Sequence, residues 1–193
     1  MPMPWWNLKR PQAQRYFTVD VFKVMNVTSP KYKVLFVCMG NICRSPAAEG
    51  VFRHFVEKAG EHHRIAIDSA GTIGFHAGSL PDPRMREAAS RRGYKLDSRA
   101  RQVNSDDINE FDLIVPMDHE NYDDLTGISR GANEHIRLLG GFLAAAHEQA
   151  QVRPVPDPYY GGAKGFEEVL DMIESACPAM LEHCIRSMAT DKP

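Results

Sequence analysis

The run Lys33-Val-Leu-Phe-Val-Cys38 constrains the chain more than any other segment. It is continuously apolar rather than alternating, the pattern of a strand buried on both faces, and such a strand needs a sheet covered by helices on each side. Ser45-Pro46 then opens a helical pattern that reaches about Gly60. Serine is a favoured N-cap and proline a favoured first helical residue, and Val51, Phe52, Phe55 and Val56 supply the buried face of that helix. Further strands are expected at Ile65 to Ser69, Phe111 to Pro116 and His135 to Leu139, separated by helix-compatible stretches such as Arg84 to Arg92 and His119 to Leu125. A last helix, about Gly165 to Met188, carries Phe166, Val169, Leu170, Ile173, Cys177, Met180, Leu181, Cys184 and Ile185 at three- and four-residue spacing. Strands alternating with helices imply an α/β architecture with a parallel sheet.

At 193 residues, with 43% hydrophobic and 25% charged, the chain suffices for one packed domain and a modest appendage. Twenty-three Lys and Arg against 25 Asp and Glu leave a formal charge of -2, which offers no broad basic field for a nucleic acid. No apolar run approaches the roughly 18 residues of a membrane span, and Gly140 and Gly141 interrupt the longest candidate, Leu138 to Ala146. Cys38, Cys43, Cys177 and Cys184 are too few for a disulfide scaffold and form no zinc-type pair, so a reducing, cytoplasmic location is expected. The histidines show no metal-ligand spacing, and no metal or cofactor is expected. The opening Met1-Pro-Met-Pro-Trp-Trp6 lacks a secretion-signal layout, and Asp20 argues against a transit peptide. Residues 1–30 read as a loosely ordered extension and residues 31–189 as the domain.

In open α/β sheets, ligands bind at the carboxyl ends of the strands, most often in the loop after the first strand. That loop is Cys38-Met-Gly-Asn-Ile-Cys-Arg-Ser45. A short loop curling into a helix N-terminus aims successive backbone N–H groups inward, and with the helix dipole these form an anion site. Gly40 permits close approach, Asn41 tolerates a left-handed backbone, and Arg44 offers a planar fork for two oxygens of a phosphoryl group. The same positive surroundings favour the thiolate of Cys38, to which the Ser45 hydroxyl can donate, so Cys38 reads as a nucleophile.

The segment Val34-Leu-Phe-Val-Cys-Met-Gly-Asn-Ile-Cys-Arg-Ser-Pro-Ala-Ala-Glu49 resembles the signature of low-molecular-weight protein tyrosine phosphatases. So, in order, do Asp68-Ser-Ala-Gly-Thr72, Ala77-Gly-Ser79, Pro81-Asp-Pro-Arg84, Arg99-Ala-Arg-Gln102, Phe111-Asp-Leu-Ile114, Met117-Asp118, Leu138-Leu-Gly140 and Asp157-Pro-Tyr-Tyr160. The resemblance covers about residues 32 to 187 and implies a four-stranded parallel sheet in the order 2-1-3-4, helices on both faces and no metal. It implies a phosphotyrosine hydrolase working through a phosphocysteine, with Cys38, Arg44 and Asp157 catalytic and Met39, Gly40, Asn41, Ile42, Cys43 and Ser45 completing the phosphate loop. Phe75, Tyr159 and Tyr160 would flank the substrate, and Ser69 would help Asn41 lock the loop. Some members brace that asparagine with a histidine where this chain reads Asp97-Ser98-Arg99, so Ser98 is the expected substitute. A tyrosine-phosphorylated protein or aryl phosphate is the implied partner, and the chain is expected to act as a monomer.

Arsenate reductases and protein arginine phosphatases share the fold. The former need two further redox cysteines after the third strand, and residues 114 to 135 hold none. Cys177 and Cys184 lie seven residues apart on one expected helix, about 10 Å along its axis and beyond disulfide reach. Arginine phosphatases favour a threonine where this loop has the bulkier Ile42. A phosphoprotein-binding module without activity would be signalled by loss of Cys38, Arg44 or Asp157, and all three are present. Cys43 is either a packed small residue or a partner that peroxide would join to Cys38.

Overall fold

A computed structural model describes residues 32–131, 133–145 and 152–190; the expected extension at residues 1–30 lies outside them. The elements run β1 (Tyr32–Cys38), α1 (Arg44–Lys58), β2 (Ile65–Gly71), α2 (Pro83–Arg91), α3 (Ser105–Glu110), β3 (Leu113–Pro116), α4 (His119–Ser129), α5 (Leu139–Ala145) and α6 (Gly162–Thr190). β1 is the middle strand, parallel to β2 from Tyr32–Ile65 to Cys38–Gly71 and to β3 from Val34–Leu113 to Val37–Pro116. Its continuous apolar run is explained by its position. Val34, Phe36 and Cys38 join a core shared with α1, α2, α5 and α6, while Leu35 and Val37 join a second core with Ile108 of α3 and Leu125 of α4. Successive side chains of a strand point to opposite faces, so a middle strand between two helical layers must be apolar throughout.

The sheet has three strands in the order 2-1-3, not the four expected. At the place of the fourth, Ile136 forms only a parallel bridge to Ile114, made by Ile114 N–H to the His135 carbonyl and Arg137 N–H to the Ile114 carbonyl, each at 2.9 Å. β3 is four residues long and ends in a proline without an N–H, and the chain turns helical at Leu139, so neither partner has the length to extend the ladder.

Two helix starts also differ from expectation. α1 begins at Arg44, with Cys43 in the capping position and no side-chain cap, so Ser45 lies in the first turn rather than at the N-cap. The unexpected α3 is closed by a reciprocal cap, in which the Asn104 side chain accepts from the backbone of Asp106 and Asp107 and the Asp107 carboxylate accepts from Asn104 N–H. Among the described residues, no helix is long and apolar enough to cross a membrane.

Candidate active site

The loop from Met39 to Cys43 leaves the carboxyl end of β1 and enters α1, as the strand-loop-helix pattern required. Two ladder-like bonds continue past the strand, Thr72 N–H to the Cys38 carbonyl (2.9 Å) and Ile73 N–H to the Met39 carbonyl (3.0 Å). This brings the end of β2 so close that a side chain at Gly71 would put a Cβ 2.7 Å from the Met39 carbonyl oxygen. Asn41 takes the left-handed backbone (φ 54°) that its short side chain tolerates. Among the described residues, none of the N–H groups of Met39 to Ser45 has a protein acceptor. Such a run of uncommitted donors at a helix start is an anion cradle.

Behind the cradle, buried polar side chains fix the loop. Asn41 donates to the hydroxyls of Ser45 and Ser69, each at 2.9 Å, and accepts from Arg101 N–H at 2.9 Å. Ser69 donates to Glu49 (2.7 Å), whose other oxygen accepts from Arg53 (2.7 Å). The Asn41 amide is thus held on both sides without Ser98, which makes no hydrogen bond to it; the backbone of Arg101 replaces the expected side-chain brace. The Cys38 sulfur lies 3.1 Å from the Ser45 hydroxyl. That hydroxyl accepts from Asn41, which leaves its proton for the Ala70 carbonyl (3.2 Å) or the sulfur.

Arg44 is 3% exposed and donates three ways: to Asp118, to Asp157 (3.0 Å) and to the Val155 carbonyl (3.3 Å). Burial opposes its charge, but Cys38, Asp157 and Asp118 outweigh that cost and push its pKa above the ordinary arginine range. Asp118 is itself fixed as the N-cap of α4, accepting from Asn121 N–H (2.8 Å). Asp157 has the extended backbone that the following proline enforces (φ −79°, ψ 115°), caps a single 3-10 turn at Pro158–Tyr160, and accepts from Tyr159 N–H at 3.0 Å.

Over the loop lies a cavity of about 260 Å³ with Cys38, Ile42 and Arg44 among its lining residues, Ile73, Phe75 and His76 on the β2 side and Asp157, Tyr159 and Tyr160 on the other. Phe75 and Tyr160 are 85% and 93% exposed, so they form a rim and not a packed wall. Every expected site residue except Ser98 gathers at this loop or directly behind it. Sequence reasoning did not assign Asp118, Glu49, His76 or the Arg101 amide. Asp118 had a usable signal, since it follows the carboxyl end of β3 at the same edge of the sheet as the loop.

Of the four cysteines, Cys38 lines this cavity beside Cys43, but burial, followed by the Asp82 carboxylate, pushes the Cys43 thiol up to about 12. Burial likewise raises Cys177, and raises Cys184 to about 12. These three stay protonated near neutral pH, and the thiolate is the reactive form. Iodoacetate at pH 7.5 is therefore expected to carboxymethylate Cys38 alone, with inorganic phosphate protecting it. Peptide mapping that found Cys43 modified first would contradict this assignment.

A family model described as low molecular weight phosphotyrosine protein phosphatase matches residues 33–190. A putative low molecular weight protein-tyrosine-phosphatase of Synechocystis is 45% identical over 149 residues, which cover 77% of this chain and 94% of that protein. The crystal structure of an Entamoeba histolytica protein tyrosine phosphatase with Hepes in its active site aligns at a TM-score of 0.75 and 39% identity, covering 81% of this chain and 98% of that one. A Drosophila arginine phosphatase aligns at a TM-score of 0.69 and 31% identity, covering 78% and 96%.

Proposed function

This chain belongs to the low molecular weight phosphotyrosine protein phosphatase family, and from that premise we propose that Cys38, Arg44 and Asp157 carry its reaction in a catalytic domain spanning residues 31–189. It is a protein tyrosine phosphatase, working by the family's phosphocysteine route. The Cys38 sulfur attacks phosphorus in line; the S–P bond forms as the P–O bond to the tyrosine breaks, and Asp157 gives its proton to the departing phenolate oxygen. The N–H groups of Met39 to Ser45 and the Arg44 guanidinium hold the equatorial oxygens, where charge is spread in the transition state. Asp157, now a carboxylate, takes a proton from water as that water's oxygen attacks phosphorus. The S–P bond breaks, the thiolate returns to the Ser45 hydroxyl, and inorganic phosphate leaves.

The observation that carries this reading is the convergence of Cys38, Arg44 and Asp157 on one cavity that lies over a run of uncommitted amides. The aromatic rim of Phe75, Tyr159 and Tyr160 suits a phenyl ring standing over the sulfur, so tyrosine-phosphorylated proteins or aryl phosphates are the proposed substrates. A phosphoserine is too short to bring its phosphate down the same slot. The site is assembled from one chain, consistent with a monomer, and a reducing cytoplasm would keep Cys38 available.

The test uses peptides carrying phosphotyrosine, phosphoserine or phosphoarginine, with chelator present. Phosphate release is expected from the phosphotyrosine peptide, and preferential release from the phosphoarginine peptide would reassign the substrate. Asp157→Asn is expected to lower kcat/KM for phosphotyrosine by about 100-fold. The loss should be much smaller for a dinitrophenyl phosphate, whose leaving group needs no proton. Equal slowing of both would remove Asp157 from the acid role.

A further inference from the structure

Arg84 stands outside the three residues assigned to the chemistry, yet it joins the two loops that must meet over the phosphate. It lies in the first turn of α2, where Asp82, the helix N-cap, accepts from its backbone N–H (2.8 Å) and from both Nε (3.0 Å) and a terminal nitrogen (2.8 Å) of its guanidinium. Asp82 is itself rooted on the phosphate loop, because its N–H donates to the Ile42 carbonyl at 2.8 Å. The other edge of the guanidinium donates to the Tyr159 carbonyl (3.2 Å), and its central carbon lies over two rings, 5.1 Å from the centre of Tyr159 and 4.9 Å from that of Phe166 in α6. Tyr159 in turn donates its N–H to the Asp157 carboxylate.

Resting on the assignment of Asp157 as the acid, we propose that Arg84 is a positioning residue that sets the acid loop at a fixed height above the phosphate loop. The Asp157 carboxylate is held by Tyr159 N–H, the same residue's carbonyl by Arg84, and Arg84 through Asp82 by Ile42. Each link is a hydrogen bond of ordinary length, and the planar fork serves Asp82 on one edge and Tyr159 on the other while its central carbon lies over two rings. No other side chain type does all three: lysine has a charge but neither the fork nor the plane. The phosphate cradle itself makes no bond to Arg84, so phosphate binding and acid delivery should separate when Arg84 is lost.

In Arg84→Ala, kcat/KM for a phosphotyrosine peptide is expected to fall about tenfold, since a catalytic group misplaced by about 1 Å can cost about 100-fold and the loop keeps its other contacts. The value for dinitrophenyl phosphate and the inhibition constant of inorganic phosphate should stay within about twofold of the parent protein, a folding check included in the same assay. Arg84→Lys should recover only part of the loss. Arg84→Gln, which keeps a donor for the Tyr159 carbonyl, supplies the same comparison if the alanine variant does not fold. In an Asp157→Asn background, Arg84→Ala should cost nothing further. A tenfold loss that persists in that background, or equal loss for both leaving groups, overturns the role of Arg84 alone. Equal slowing of both leaving groups by Asp157→Asn itself overturns the acid assignment and this inference with it.

Discussion

Cys38→Ser is expected to lower phosphotyrosine turnover by on the order of 10⁴-fold or more while inorganic phosphate still binds. The two halves of this result come from different parts of the loop. On the proposed mechanism phosphate binding rests on the amides of Met39 to Ser45 and on Arg44, none of which the substitution touches, and serine is close enough in shape to keep the buried end of β1 packed. Turnover rests on a thiolate, and a hydroxyl holds its proton far more tightly. No neighbouring group is free to remove that proton in the attack step. On the proposed mechanism Asp157 already carries the acid's proton in this step, Asp118 is paired with Arg44, and the Ser45 hydroxyl is a donor to the sulfur or to Ala70 rather than a base. Titration calorimetry with phosphate and initial rates with a phosphotyrosine peptide check the prediction together. A serine variant that turns over at the parent rate would refute the nucleophile, and one that loses phosphate binding would show that the sulfur, not the amides, holds the anion. Rapid-quench sampling of the parent protein should also trap phosphate on Cys38.

How far such a site can be read from sequence depends on whether its parts are contiguous. Cys38, Asn41, Arg44 and Ser45 lie within eight positions, and a buried strand running into a helix dictates what they surround. The left-handed Asn41 and the extended Asp157 also follow from local chemistry alone, through a short amide side chain and a following proline. The partners of Arg44 are another matter, since Asp118 and Asp157 stand 74 and 113 positions away and only the tertiary fold brings both to one guanidinium. Ser98 was expected on side-chain grounds, but the group that meets Asn41 is the amide of Arg101, and a backbone donor leaves no mark in the residue type. The fourth strand failed for a related reason. Ile136, Leu138 and Leu139 have apolar side chains that suit a strand or a helix equally, and α5 claims Leu139 because the neighbouring strand is too short to hold it. α3 was hidden because its first residues, Ser105, Asp106 and Asp107, read as a polar loop until the reciprocal cap with Asn104 is seen.

Substituting Arg44 should separate what this residue does for the fold from what it does for the reaction. Its guanidinium is almost wholly buried and faces two carboxylates and a carbonyl, so removing its charge in Arg44→Met leaves Asp118 and Asp157 uncompensated. Breaking a buried pair from one side costs about 3 to 5 kcal/mol, and the partial exposure of both carboxylates places the expected loss at or below about 3. Adding Asp118→Asn removes one orphaned charge and should return part of that stability, measured as the urea midpoint. Activity should not return with it. The planar fork proposed to hold two phosphate oxygens is still missing, and a missing donor of this kind costs on the order of 10² to 10³ in rate. Arg44→Lys should show the complementary pattern: near-parental stability, because an ammonium still answers one carboxylate, with kcat/KM down by about 10²-fold, because one point charge cannot serve Asp118, Asp157 and a phosphate together. If the double variant regained turnover in step with stability, Arg44 would be a structural ion-pair partner, and the charge that stabilises the transferring phosphoryl group would have to come from the loop amides alone.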